Sequence, residues 1–531
     1  MVTVPGSSPT IRHATWRFWF PFVGAVLAAL ALAAIWAWPD REGYILADRV
    51  FSTLIIVTLT LLVLFVWGLA FSRYRWFILV AGILIIGAVL GSVRHVRFTG
   101  DMIPIVQFRW DKTADDLLEE HRANPEYQKN VPPIDLASND AVSYGEYRGR
   151  NRDGVVEGPA LARDWQAQAP RLLWRQPVGG GYASFAIAGN AALTIEQRRD
   201  QEAVVCYDTA TGKERWKHEY AAHFSEALGG PGPRATPTIA GTEVFSLGAQ
   251  GMLVCMELAT GKVKWSVNIL QDNDNVSWAM SGSPLVLDKL VIVNPGAQKG
   301  SASGKALMAL DRVTGKPTWT SGTTRAGYSS PMVATLAGHR QILLFDGDQV
   351  GGFDTEKGRE LWHFKWETMN GINVAQPLVL PDNRVFISTA YGVGCALLKV
   401  TEKEGQWSVA PIWQNKNMRC KMSSPIYYGG HIYGLDEGIL ACLDAASGAR
   451  QWREGRYGHG QLLLTGDLLL ILSETGKLAL VEANPERFRE LGKIEALDGK
   501  TWNVPALVEG KVFIRNTNEM ACYDLPLQET P

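Results

Sequence analysis

Three uncharged apolar stretches open the chain, Phe18 to Trp38, Val50 to Ser72 and Trp76 to Val93. Each runs to about 18 residues or more, enough for a helix to cross a hydrocarbon core of roughly 30 Å, and no polar face interrupts them. The pattern predicts three membrane-spanning helices, at about 18–38, 50–72 and 76–93, forming an anchor over residues 1–93. Trp16, Trp19, Trp36, Trp38 and Trp76 fall at the ends of these stretches, where amphipathic rings favour the headgroup level. The Ala31-Leu-Ala-Ala34 run resembles a signal-peptide cleavage region, but two further spans behind it make a permanent anchor the expected outcome. Arg12, Arg17, Arg73 and Arg75 on one side balance Arg41, Arg49, Arg94 and Arg97 on the other, so the positive-inside rule returns a tie. The very short Arg73-Tyr74-Arg75 turn leans toward an inside loop, which sends the bulk of the chain outward.

From Arg94 to residue 150 the pattern becomes charged and proline-containing, as expected of a spacer. Thr113-Ala-Asp-Asp116 has the form of a capping box opening a short helix through Arg122, and Val131-Pro-Pro-Ile134 breaks it. Beyond residue 151 the chain repeats one phrase: a short apolar run, an Asp, a Thr-Gly-Lys-like turn, then a Trp. It reads Cys206-Tyr-Asp-Thr-Ala-Thr-Gly-Lys-Glu-Arg-Trp216, Cys255-Met-Glu-Leu-Ala-Thr-Gly-Lys-Val-Lys-Trp265 and Leu310-Asp-Arg-Val-Thr-Gly-Lys-Pro-Thr-Trp319, with looser copies ending at Trp362 and Trp452. Self-similarity at a period of roughly 40 to 50 residues marks an array of small β units. In each turn the Asp accepts backbone N–H groups and the Gly supplies the positive φ of a tight hairpin.

Aligned, the copies give a four-stranded unit. A Pro recurs in the innermost strand, in Thr236-Pro237, Ser283-Pro284, Ser330-Pro331, Gln376-Pro377, Ser424-Pro425 and Val504-Pro505, which places that strand at a sheet edge lining a central channel. The outermost strand carries the docking tryptophans Trp216, Trp265, Trp319, Trp362, Trp413 and Trp452, with Leu491 in a degenerate seventh copy. The last unit, Trp502 to Leu525, has three strands, and its fourth is available at Leu172-Leu-Trp174-Arg-Gln-Pro177. Pairing the two ends closes a ring and removes the open edges of a linear array. The expected fold is therefore all-β, an eight-bladed β-propeller of four-stranded antiparallel blades over residues 151–531, preceded by the three helices and a 94–150 linker.

Composition narrows the chemistry. A net charge of -1 over 531 residues offers no basic surface for nucleic acid. Of the six cysteines, Cys206, Cys255, Cys442 and Cys522 share one third-strand position and read as small core residues, while Cys395 and Cys420 belong to no Cys-x-x-Cys or haem-attachment motif. Asp272-Asn-Asp-Asn275 resembles the opening of a Ca²⁺ loop but lacks its Gly and distal Glu, and reads as a solvated loop. No metal site is assigned. Gly499-Lys500-Thr501 is not a P-loop, because the glycine required five residues earlier is Ile494.

The Trp216 and Trp265 repeats match the tryptophan-docking motif of the pyrroloquinoline quinone (PQQ) repeat, or quinoprotein-like, propeller superfamily, and Arg148-Gly-Arg-Asn-Arg-Asp-Gly154 resembles the lead-in of many bacterial members. The resemblance implies a bacterial protein, and the orientation favoured by the Arg73-Tyr74-Arg75 turn then gives an inner-membrane anchor with the propeller in the periplasm. The resemblance points to two functions, because the superfamily holds both PQQ-dependent dehydrogenases and scaffolds similar to the outer-membrane assembly lipoprotein of the Bam complex. In the dehydrogenases a Trp floors the quinone, adjacent cysteines often cover it, and Glu, Asn and Asp serve a Ca²⁺ ion and the base. This chain has no adjacent cysteine pair, and no cofactor is assigned, with PQQ and Ca²⁺ kept for the enzymatic alternative.

Linkers from each outer strand to the next inner strand converge on one mouth, and here they supply Tyr182, Glu226, Arg234, Trp278, Tyr328, Asn373, Gln376, Lys421, Trp502 and Asn503. A concave mouth with aromatic walls and converging polar groups is the default ligand site. In the competing reading Trp278 and Trp502 plug the entrance while Arg234 and Glu226 pair structurally. The favoured expectation is a membrane-tethered propeller that presents its mouth to a protein partner or small molecule without turnover. The alternative is a quinoprotein dehydrogenase oxidising an alcohol or sugar and passing electrons to membrane quinone.

Overall fold

The computed structural model describes residues 16–37, 45–125, 127, 131–134, 143–271, 273–297 and 305–528. Arg12, Trp38, Arg41 and Asp272 lie outside the described residues. The chain divides into two compact units, Met1–Asp111 and Lys112–Pro531.

In the first unit the three apolar stretches form helices α1 (Trp16–Ala37), α2 (Leu46–Phe71) and α3 (Arg75–Ser92), each long and apolar enough to cross a membrane by length and composition. α2 starts earlier than its apolar run, because the Asp48 carboxylate accepts the Ile45 N–H at 3.2 Å and caps the extra turn. α2 and α3 approach through small residues. A Cβ built on Gly82 would stand 2.6 Å from the Phe65 ring, so glycine is what admits the contact.

The second unit begins with α4 (Ala114–Arg122), opened by the reciprocal Thr113–Asp116 capping box at 3.0 and 3.1 Å. Beyond it, eight antiparallel sheets follow in chain order around a ring. Blade 1 spans Ala186–Ala221, blade 2 Thr238–Asn268, blade 3 Leu285–Ser321 and blade 4 Met332–Lys365. Blade 5 spans Leu378–Asn415, blade 6 Ile426–Arg456, blade 7 Gln461–Glu495 and blade 8 Ala506–Asp524. Blade 8 takes its fourth strand from Arg171–Pro177, with Cys522 opposite Trp174, so the ring closes between the two ends of the unit. α4 lies over that seam: His121 meets Gln176 of blade 8 at 3.3 Å, and Arg122 pairs with Glu214 of blade 1 at 3.3 Å.

The recurrent prolines stand one residue before the innermost strands, which start at Thr238, Leu285, Met332, Leu378, Ile426 and Ala506. They end each linker rather than sit within a ladder, because a residue without an N–H fits where pairing has not begun. The position two residues before the innermost strand does the joining. In five blades its backbone N–H donates to the side chain at the equivalent position of the next blade: Ser184 to Thr236 at 3.0 Å, Thr236 to Ser283, Ser283 to Ser330, Ser330 to Gln376 and Gln376 to Ser424. This belt of inter-blade hydrogen bonds runs along the channel from blade 1 to blade 6.

The outer seams are held by the tryptophans. All eight blades carry a bulge at one register, and it turns the docking residue toward the following blade. Trp216 donates Nε1–H to Leu258 O at 2.9 Å, Trp265 to Arg312 O, Trp413 to Ala445 O, Trp452 to Asn484 O and Trp174 to Thr209 O. The ring lies on the turn glycine of the next blade. A Cβ on Gly261 would overlap the Trp216 ring, and Gly261 at φ 70° also needs the left-handed region. Trp362 differs, donating to Gln341 of its own blade at 2.7 Å.

The residue paired with the Trp is small in six blades, Cys206, Cys255, Ala309, Gly352, Cys442 and Cys522, whereas Trp413 faces Leu397. That explains the cysteine series. In blade 7 the docking register falls on Gly492, opposite Leu480, with Leu491 on the bulge beside it. The missing ring is supplied from elsewhere: Trp165, 3% exposed and upstream of the whole ring, lies against Gly492.

Candidate functional site: an aromatic cup over a plugged channel

Strand order puts the outer-to-inner linkers and the loops between second and third strands on one face of the ring, and the Thr-Gly-Lys turns on the other. The linker face carries an arc of touching side chains. Trp278 donates Nε1–H to Glu226 Oε2 at 3.0 Å, and that same oxygen accepts the N–H groups of Leu228 and Gly229. Trp278 also meets Tyr328 with ring centroids 6.0 Å apart. Arg234 stands 5.4 Å from the Tyr182 ring and 4.9 Å from Phe224, and donates to Gly229 O and Gly232 O. Tyr182 packs on Trp502 at 5.2 Å, and the Lys500 ammonium sits 3.7 Å above the Trp502 indole, within the range where a cation over a ring contributes about 0.5–2 kcal/mol. Trp502 then donates to Glu474 Oε1 at 2.8 Å, and the other oxygen of Glu474 accepts the His459 N–H. Across the mouth Lys421 lies 5.5 Å from the Tyr391 ring.

The electrostatics follow from desolvation. Burial pushes the Tyr328 hydroxyl up to about 12 and raises Tyr391, which also feels Glu437. Arg234 is lowered by burial, against the opposing pull of Tyr182, Tyr328 and Glu226. Glu437 is raised by burial, with Lys421 and His459 acting the other way, and its Oε2 has no hydrogen-bond partner. Asp346 is raised to about 7, mainly by burial, although Thr324 and two backbone amides hydrogen-bond it.

Seven of the ten residues expected at the mouth therefore stand on it: Tyr182, Glu226, Arg234, Trp278, Tyr328, Lys421 and Trp502. Asn373, Gln376 and Asn503 lie beneath it, fully enclosed. Asn373 ties Asp346 O and Trp366 O, Gln376 is a member of the belt, and Asn503 donates to Gly181 O and Ala183 O. The glutamate–arginine pairing weighed above is not formed as a hydrogen-bonded pair among the described contacts. Glu226 is engaged by the Trp278 indole instead. Sequence reasoning passed over Tyr391, Glu437 and Glu474, which come from the second-to-third-strand loops. Lys500 and His459 stand on linkers and were within its reach.

The floor comes from the lead-in. Residues 143–156 cross the centre of the ring, adding a strand (Ser143–Tyr144) to the inner edge of blade 1 and an isolated bridge from Val155 to Leu464 of blade 7. Arg152, 1% exposed, donates to Ser283 O, Pro284 O and Pro331 O at 3.0, 2.6 and 2.9 Å and pairs with Glu146 at 2.9 Å. Arg148 donates to Pro425 O at 3.0 Å and Leu462 O at 3.3 Å. Two forked guanidiniums thus satisfy carbonyls from blades 3, 4, 6 and 7 that an open channel would leave to water. The mouth is a cup, closed below.

Of the carboxylates at the mouth, Glu226 Oε2 accepts the Trp278 indole and two backbone N–H groups and Glu474 accepts the Trp502 indole and the His459 backbone N–H, whereas Glu437 Oε2 has no hydrogen-bond partner. The six cysteines are all buried, four of them in third strands facing tryptophans.

Fold and docking motif together define a PQQ-repeat, quinoprotein-like eight-bladed propeller. The chain belongs to the family described as outer membrane protein assembly factor BamB, whose profile matches residues 163–268 and 200–454, more than half of its length. No curated protein matches the sequence. Among solved structures, the quinohemoprotein alcohol dehydrogenase of Comamonas testosteroni is 11% identical, with a TM-score of 0.52 over 77% of this chain and 85% of that one. The quinohemoprotein alcohol dehydrogenase ADHIIG of Pseudomonas putida HK5 is 14% identical, with a TM-score of 0.51 over 76% and 84%. BamB from Moraxella catarrhalis is 12% identical, with a TM-score of 0.49 over 68% and 100%. At these identities the likeness is one of fold.

Proposed function

We propose that the protein is a membrane-tethered scaffold whose cup binds a protein partner, or a small ligand, on the periplasmic side of a bacterial inner membrane. The observation that supports this reading is the combination of an aromatic, charge-rimmed cup with a plugged floor. Such a cup receives a protruding side chain or loop, and its floor is closed by the Arg148 and Arg152 guanidiniums. Aromatic and arginine side chains with satisfied polar partners are the groups that carry binding energy at protein interfaces. Family membership supports the same reading, since the family is described by an assembly factor.

A photo-crosslinking side chain in place of Trp278 tests it, with Val313 as control, because Val313 is exposed on a turn of the opposite face. A discrete adduct from position 278 that position 313 does not give is expected. Dye reduction with an alcohol or sugar after reconstitution with PQQ and Ca²⁺, together with retention of quinone absorbance through dialysis, would instead establish the dehydrogenase reading. Orientation has its own readout: protease added to spheroplasts is expected to digest the propeller, and full protection places it in the cytoplasm.

A further inference from the structure

α3 does not end in a loop. Its last residue, Ser92, runs directly into a two-stranded hairpin, Val93–Phe98 paired with Pro104–Phe108. The register sorts the hairpin into two unlike faces. Val96 opposes Val106 and Phe98 opposes Pro104, with Phe108 two residues on, so one face is wholly apolar. His95 opposes Gln107 and Arg97 opposes Ile105 on the other. Val96, Val106 and Phe108 are exposed, and Trp110, 69% exposed, stacks on Phe108 at 4.9 Å with the rings 3° from parallel. A flat aromatic pair open to water next to apolar side chains is a surface that requires a cover.

The position of that surface tells what covers it. The returning strand is tied to the end of the helix: Arg109 N–H donates to Ser92 O at 2.8 Å, and its guanidinium to Leu90 O at 3.4 Å. Arg94 donates across to Arg109 O at 2.8 Å. Phe108 and Trp110 are therefore held at the depth of the α3 C-terminus. An 18-residue helix is about 27 Å long, so if α3 crosses the hydrocarbon its end lies at the headgroup boundary. That is where indole and phenyl rings partition and where arginines meet lipid phosphates.

We propose that residues 93–110 form an amphipathic hairpin lying in the headgroup region of an anionic bilayer, with Val96, Val106, Phe108 and Trp110 facing the acyl boundary and Arg94, Arg97 and Arg109 among the phosphates. This rests on the reading of α3 as a membrane span. The hairpin acts as a collar that fixes the helix end in depth and sets the direction in which the chain leaves the membrane.

The test uses the full chain in nanodiscs of phosphatidylcholine and phosphatidylglycerol, with one cysteine introduced at a time and labelled with an environment-sensitive fluorophore. The native thiols do not compete: all six are buried, and burial pushes Cys255, Cys395, Cys420, Cys442 and Cys522 up to about 12. Labels at Val106→Cys and Trp110→Cys are expected to be quenched by shallow spin-labelled lipid and to resist aqueous iodide several-fold better than a label at Gln107→Cys. Replacing the phosphatidylglycerol by phosphatidylcholine is expected to weaken that contrast. Leu84→Cys, in the middle of α3, separates the two claims. Deep lipid quenching at 84 without shallow quenching at 106 overturns the hairpin while leaving the span. Absence of lipid quenching at 84 overturns the span itself. Shielding of 106 from both lipid and iodide means that protein covers the face, and also overturns the proposal.

Discussion

Blade 7 makes the sharpest demand on this account, because its docking indole comes from a residue 327 positions upstream of the glycine it covers. Burying a Trp removes roughly 200 Å² of surface from water, about 5 kcal/mol at 25 cal/mol per Å². The Trp165 Nε1–H has no acceptor, which offsets about 1–2 kcal/mol of that. Trp165→Ala is therefore expected to cost about 3–4 kcal/mol, within the range of large-to-small changes in cores. For a ring this large that corresponds to a fall in melting temperature of about 3–6 °C, extrapolating from smaller domains. Gly492→Ala is expected to destabilise by about 1–3 kcal/mol, because the new Cβ would stand 2.6 Å from the Trp165 Cβ. Restoring the ordinary arrangement, with Gly492→Trp and Leu480→Cys on the Trp165→Ala background, is expected to recover more than half of the loss. The assay is thermal unfolding of the detergent-solubilised chain, with hydrogen exchange of Glu490–Glu495 as the local readout. If Trp165→Ala melts no lower than Val313→Ala, or the triple variant melts lower still, the substitution of one indole for another is refuted.

Two further outcomes follow from the polar interior. Asp346 has its folded value raised to about 7 from 3.8, so the folded state binds the extra proton between those limits and stability falls as pH rises through that window. Asp346→Asn is expected to flatten that slope and to raise stability above pH 7 by roughly 2–4 kcal/mol, measured by melting at pH 5 and pH 8; an unchanged slope would mean that another group carries it. Arg152→Lys is expected to cost roughly 2–4 kcal/mol, nearly as much as Arg152→Met, because one ammonium cannot fork to the carbonyls of Ser283, Pro284 and Pro331; full stability with Lys would show that charge rather than geometry holds the plug.

The number of blades, the strand borrowed from Leu172–Pro177 and the three apolar helices were legible because each rests on local chemistry repeated along the chain. The Trp-bearing strand, the Asp that caps its turn and the glycine that turns it recur at a fixed spacing, and a missing fourth strand in the last copy has one matching segment upstream. The mouth was legible in part. Linker position sufficed for Trp278 and Trp502, but depth within the linker did not show: Gln376 occupies the same place as Ser330 and Ser424, and all three face the neighbouring blade.

What the sequence alone determined is thus the repeat and everything periodic with it, since periodicity reports a backbone conformation that each unit adopts for local reasons. Tertiary structure decided the exceptions. Trp165 standing in for a docking residue at Gly492, Arg148 and Arg152 closing the channel, and Glu474 meeting Trp502 all join residues with no fixed spacing. They became neighbours only because ring closure brings distant segments to a common centre, where each unpaired carbonyl, indole or guanidinium must find whatever partner the geometry supplies.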